Sequence, residues 1–181
     1  MMHTTRLWRL RNVLRFCSSS SKCIGRRKVK IQRDLKEFIE LMNSNGVEYV
    51  IVGGHAVAYH GYPRFTGDMD FFVRPEPENG ARIIAVLRSF GLPDTADLEP
   101  TLVEPGRVVQ IGRPPNRIDL LTGISGVSFQ EALATSVGAE IDGQPVRMIG
   151  FDSLLLNKSA SGRPKDLADI EQLKKTRDRR H

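Results

Sequence analysis

The sequence predicts an α+β domain in which a small β-sheet is flanked by helices and the C-terminal segment is helical. Two kinds of periodicity carry this expectation. Leu35, Phe38, Ile39 and Met42 recur at helical spacing, whereas Val47-Glu48-Tyr49-Val50-Ile51-Val52 is a short β-branched run bounded by Gly53-Gly54, the pattern of a buried strand. A third observation is a second apolar stretch that carries two aspartates one residue apart, Asp68-Met69-Asp70-Phe71-Phe72-Val73.

Taken in order, a first helix runs from Asp34 to Asn45 and covers the sheet, with Asn45-Gly46 as its stop. The strand at 47–52 leads through the glycines into a short helix, His55–His60, ended by Gly61-Tyr62-Pro63. The aspartate strand follows and is broken by Pro75 and Pro77. Ala81–Phe90, with Ile83, Ile84, Val86 and Leu87 inside it, reads as a second long helix ended by Gly91 and Pro93. Residues 92–106 carry Pro93, Pro100, Pro105 and Gly106 and read as loop with at most one helical turn. Arg107–Ile111 and Arg117–Leu121 form a hairpin across Gly112-Arg113-Pro114-Pro115-Asn116. A helical patch at Phe129–Ala134 precedes two further strands, Ala139–Ile141 and Pro145–Ile149, joined by the favoured hairpin turn Asp142-Gly143. Helices at Phe151–Ala160 and Pro164–Lys175 close the domain, Pro164 suiting a first helical turn.

Charge is distributed unevenly along the 181 residues, a length that suits one domain. Residues 1–33 hold ten Lys and Arg and no acid, leaving 17 bases against all 21 acids in the rest. Residues 34–173 hold 12 bases and 20 acids, which argues against a general nucleic-acid-binding surface on the body. The leader is rich in Arg and Ser, with Leu7, Leu10, Leu14 and Cys17 on one helical stripe, and it resembles an organellar transit peptide. It lacks the long apolar run of a secretory signal or membrane span. A basic arm for RNA or lipid and sequence upstream of a later start Met are the competing readings. The expected organisation is a disordered or extraneous leader at 1–33, a domain at 34–175 and a basic tail at 176–181. The expected location is cytoplasmic, or mitochondrial if the leader is a transit peptide, and no membrane is expected as a partner. Cys17 and Cys23 both lie in the leader, so neither a disulfide framework nor a thiolate metal site holds the body.

The chemistry starts from strand alternation. Residues two apart share a face, so Asp68 and Asp70 point together while Met69 and Phe71 point the other way. Like charges in an apolar strand repel unless a cation or proton intervenes. Mg²⁺ is the natural cation, since it prefers hard oxygens and is commonly held by one or two carboxylates plus substrate phosphates. The plain alternative is the exposed face of an edge strand. Gly53-Gly54 lets a phosphate approach the backbone at a helix start, although glycines serve tight turns for steric reasons as well. Asp119, between Ile118 and Leu120, is a third acid on a strand face and, taken alone, a solvated one.

A strand ending in Gly-Gly, thirteen residues from His55 to Gly67, an Asp-x-Asp strand and a later strand with a third Asp together resemble the nucleotidyltransferase fold of the DNA polymerase β superfamily. Val52-Gly53-Gly54-His55-Ala56, Arg64-Phe65-Thr66-Gly67-Asp68-Met69-Asp70, Lys158 and Arg163-Pro164-Lys165-Asp166-Leu167-Ala168-Asp169-Ile170 are further similar to small bacterial nucleotidyltransferases related to the AbiEii type. The resemblance covers roughly residues 34–175. It implies a small mixed sheet and transfer of a nucleoside monophosphate from an NTP such as ATP to a hydroxyl, with release of pyrophosphate. Asp68 and Asp70 would hold Mg²⁺, with two ions in all, and Asp119 would complete the second metal site or accept the proton of the attacking hydroxyl. Gly53, Gly54, His55, Arg64, Thr66, Lys158 and Lys165 would bind the nucleotide.

Several of these roles have rivals. His55 contacts phosphate or caps the short helix. Lys158 offsets triphosphate charge, as Arg64 would, or is a solvated helix lysine. Lys165 is expected to reach the site, although Lys165, Asp166 and Asp169 all sit in the first turns of a helix after Pro164, where acids suit the helix dipole. Many relatives have Gly-Ser, whose hydroxyl contacts phosphate, where Gly54 offers only its amide. The acceptor is left open between a small molecule, a protein and an RNA end, with a protein partner or homodimer as aids to selection. A sugar transferase using Asp-x-Asp, and a toxin–antitoxin component that kept the fold, are the alternative functions.

Overall fold

The amphipathic stripe at the start of the domain forms helix α1, Arg33–Ser44, with Leu35, Phe38, Ile39 and Met42 buried. A computed structural model of the chain describes residues 33–92, 95–113 and 117–178. The readings placed on the leader with its two cysteines, on Pro93, on Pro114-Pro115-Asn116 and on Arg179 and Arg180 fall outside these residues.

Six strands form one mixed sheet, as the sequence predicts. They are β1 (Tyr49–Ile51), β2 (Asp68–Val73), β3 (Val108–Ile111), β4 (Arg117–Leu121), β5 (Val137–Ile141) and β6 (Gln144–Met148). Their order is β3-β4-β2-β1-β6-β5. The hairpins β3/β4 and β5/β6 are antiparallel, as is β1/β2, whereas β1/β6 and β2/β4 are parallel. Asp142 (φ 48°) and Gly143 (φ 87°) both take positive φ in the β5/β6 turn, the geometry for which Asp-Gly is favoured.

Three helices begin where glycine or proline had suggested a break. Helix α2 spans Gly53–Tyr59, so both glycines belong to its first turn. Helix α3 spans Pro77–Ser89, about a turn longer at its start than the apolar pattern indicates, because proline at a first helical position loses no hydrogen bond. Within the expected loop, a 3₁₀ turn at Ala96–Leu98 runs into α4, Glu99–Val103, which buries Leu102. Helix α5, Phe129–Ala134, starts at a capping box in which Ser128 accepts from the Glu131 amide. Helices α6 (Phe151–Ser161) and α7 (Pro164–Asp178) are separated by Gly162 at φ 63°. Because α7 reaches Asp178, the first residues assigned to the tail are helical instead.

The sheet's two faces differ. Phe71 on one face meets Phe38 of α1 edge-to-face at 5.4 Å, and Phe38 meets Phe90 after α3 at 5.1 Å. Fully burying each such ring stabilises the fold by roughly 2–3 kcal/mol. On the other face Phe72 packs on Phe129 of α5 at 5.3 Å. Farther along that second face, toward the N-terminal end of β2, the packing gives way to a cleft bounded by α2, α6 and α7.

Candidate active site

Register assembles the site. The parallel pair β2/β4 sets Asp68 opposite Arg117 and Asp70 opposite Asp119. Since alternate residues share a face, these four side chains form a two-by-two charged array on the cleft side, while Met69, Phe71, Ile118 and Leu120 fill the core. Arg117 Nε donates to Asp119 Oδ1 at 2.7 Å, and Nη2 donates to Asp119 Oδ2 at 2.8 Å and to Asp68 Oδ2 at 2.7 Å. Thr66 Oγ1 donates to Asp68 Oδ1 at 2.8 Å. These bonds tie down Asp68 and Asp119 at both oxygens.

Asp70 lacks such help. No side-chain hydrogen bond reaches it among the described residues, and its pKa is pushed up to about 6. Burial is the main cause, followed by the charges of Asp68 and Asp119; the Gly54 amide and Arg117 pull the other way. Arg117 is held more firmly charged than a free guanidinium, first through its hydrogen bonds to Asp119.

The glycines are explained by contact. Gly53 has φ +62°, and a Cβ there would overlap Asp70 Oδ2. At Gly54 a Cβ would sit 2.5 Å from Thr66 Oγ1. The Thr66 hydroxyl thus fills the space that a serine side chain at position 54 would need. His55 does not cap α2: the N-cap is Val52, without a side-chain cap bond, and His55 is the third residue of the helix. Burial, partly offset by Asp68, pushes its pKa down to about 4, so the ring is neutral at pH 7.

Arg64 and Lys158 are engaged in ion pairs. Arg64 binds Asp169 through Nε at 2.8 Å and Nη2 at 3.0 Å. Lys158 Nζ lies 2.7 Å from both Asp166 Oδ1 and Asp169 Oδ2. With Lys158 3% exposed, the solvated-lysine reading does not hold. Asp166 and Asp169 likewise do more than complement a helix dipole, since they pair with buried Lys158 and half-buried Arg64. Lys165 is exposed and has no ion-pair partner among the described residues.

A cleft of about 670 Å³ lies between the charged array and α6–α7. Asp68, Asp70, Gly53, Gly54, Arg64, Thr66, Lys158 and Lys165 line it; Asp119, 5% exposed, and His55 do not. Among the described residues no three His, Cys, Asp or Glu side chains stand grouped as a metal site, consistent with Arg117 between Asp68 and Asp119. The donor set nevertheless fits a hard divalent cation at Asp68 and Asp70. Both are oxygen donors on the cleft wall, and a cation there relieves what raises the Asp70 pKa, burial of its charge first and the neighbouring charges of Asp68 and Asp119 second. Arg117 was not singled out in the sequence, although its place two residues before Asp119 on a strand already implied a shared face.

Among the described residues no helix is long and apolar enough to cross a membrane. No curated protein matches the chain. A family profile described as nucleotidyl transferase of unknown function (DUF2204) matches residues 31–181, a span that takes in every element from α1 to α7, the charged array and the cleft. The chain belongs to this nucleotidyl transferase family.

Proposed function

We propose that the chain moves a nucleoside monophosphate from an NTP to a hydroxyl acceptor, with Mg²⁺ held by Asp68 and Asp70. One observation carries this reading: the two carboxylates face a cleft floored by Gly53 and Gly54, with Asp119 in register beside Asp70. The acceptor oxygen attacks the α-phosphorus as the bond to the bridging oxygen breaks, and pyrophosphate leaves. Bound at these carboxylates, Mg²⁺ would supply Lewis-acid stabilisation of the charge developing on the phosphate oxygens.

The chain's own residues mainly position and shield charge. Gly53 and Gly54 keep side chains out of the phosphate's approach. Lys165, without a carboxylate partner among the described residues, is a cation available to the triphosphate, whereas Arg64 and Lys158 are offset by Asp166 and Asp169. Asp119, adjacent to Asp70 in register, would take the hydroxyl proton or bear on a second ion once its pair with Arg117, which holds both of its oxygens, is opened. The test is incubation with each labelled NTP, Mg²⁺ and fractions of cell extract. Label transferred to RNA, protein or a metabolite, and lost in Asp68→Asn, supports the reading; wild-type transfer by that variant overturns it.

A further inference from the structure

The charged array contains a cation of its own. Arg117 reaches both oxygens of Asp119 and one of Asp68, so a single guanidinium spans two of the three carboxylates. A bidentate guanidinium–carboxylate pair is planar and directional, and it fixes the carboxylate as well as neutralising it. Asp119 is 5% exposed, with both of its oxygens occupied by this contact. Asp68 is different. Each carboxylate oxygen has two lone pairs, and Asp68 uses one at Oδ1 for Thr66 and one at Oδ2 for Arg117, leaving acceptor capacity on a side chain that lines the cleft. Asp70 receives no side-chain donor at all among the described residues.

We infer that Arg117 is a built-in counter-ion that takes the place of a second divalent cation. A first ion engages Asp68 and Asp70 with Arg117 undisturbed, and a second reaches Asp119 only by displacing the guanidinium. Arg117 is therefore a positioning residue that keeps the carboxylates on one face before metal arrives and sets how many ions the site takes. The inference rests on the metal reading proposed above and goes beyond it by assigning the site its ion count without nucleotide.

The probe is Mn²⁺ alone, titrated against the full chain, with free ion followed by electron paramagnetic resonance and unfolding followed without metal. Wild type is expected to bind one Mn²⁺ per chain. Arg117→Gln is expected to bind two, its second site at least tenfold tighter than that of wild type, and to melt at a lower temperature without metal because the crowded acids lose their counter-ion. Arg117→Lys, whose single ammonium cannot span both carboxylates, should fall between them; it decides the matter if Arg117→Gln does not fold. Two equivalent ions in wild type, or a second site unchanged by removing the guanidinium, overturns the role of Arg117 while the metal reading stands. No binding of Mn²⁺ by wild type at millimolar concentration overturns the metal reading itself and the inference built on it.

Discussion

Asp70 is where the stability of the fold and the proposed chemistry conflict. Its pKa of about 6 in the fold, against 3.8 ordinarily, means that the folded chain holds this proton more tightly than the unfolded one. The sign follows: no penalty exists below about pH 4, and stability falls as pH rises through about 6, by roughly 3 kcal/mol at most from this group. Asp70→Asn keeps the shape and removes the charge. Without divalent ions it should match wild type near pH 4 and exceed it by up to about 3 kcal/mol near pH 7.5. Its transfer activity should fall at least about a hundredfold, as expected when a metal ligand is lost. Urea unfolding in chelator at the two pH values reads the stability, and a variant less stable than wild type at pH 7.5 contradicts it. Mg²⁺ should reverse the wild-type deficit, since ion and proton compete for the same oxygens.

At the scale of elements, α6 and α7 are joined to the loop before β2 by Arg64, Lys158, Asp166 and Asp169. Burial would raise the pKa of Asp169, but its hydrogen bonds to Arg64 and Lys158 hold it below the ordinary range. A depressed acid stabilises above its unfolded pKa, so this joint is intact above about pH 4 and weakens as pH falls further. Asp169→Asn leaves Arg64 and Lys158 short of a buried partner and should lower stability by about 3–5 kcal/mol, read as a shifted urea midpoint at pH 7. An unchanged midpoint would show that Asp166 alone suffices. The two acids stand in the sequence at positions that a helix dipole explains equally well, and only the packing of Lys158 at 3% exposure distinguishes the readings. Strands and amphipathic helices were legible because periodicity is local, as Leu35 to Met42 and the aspartate strand show. The starts of α3 and α4 were not, because Pro77 and Pro100 read equally as breakers and as first-turn residues. Arg117 is legible only in part for a third reason: strand spacing puts it on the face of Asp119, but its bond to Asp68 depends on the register between β2 and β4, a long-range pairing that spacing along one strand does not reveal.

On the scale of the whole molecule, charge and core are separated along the chain. The buried hydrophobic residues among those described begin at Leu35, whereas ten of the 27 bases precede Asp34. Deleting residues 1–32 removes nine bases and takes the formal net charge from +6 to −3. The melting temperature and the Mn²⁺ and NTP affinities of the shortened chain should equal those of the full chain, because no described core residue and no residue of the charged array is removed. Affinity for single-stranded RNA should behave differently. The body from 34 to 173 carries 20 acids against 12 bases, so attraction to a polyanion has to come mainly from the leader and the C-terminal basic cluster. Each phosphate contact contributes about 0.7 to the slope of log affinity against log salt for a single strand, so losing four or five contacts should flatten that slope by roughly three units. RNA titrations at three salt concentrations, on full-length and shortened chains, measure it. An unchanged slope would exclude the leader as the acceptor-holding arm, and loss of soluble, folded protein on deletion would show instead that the leader packs against the domain.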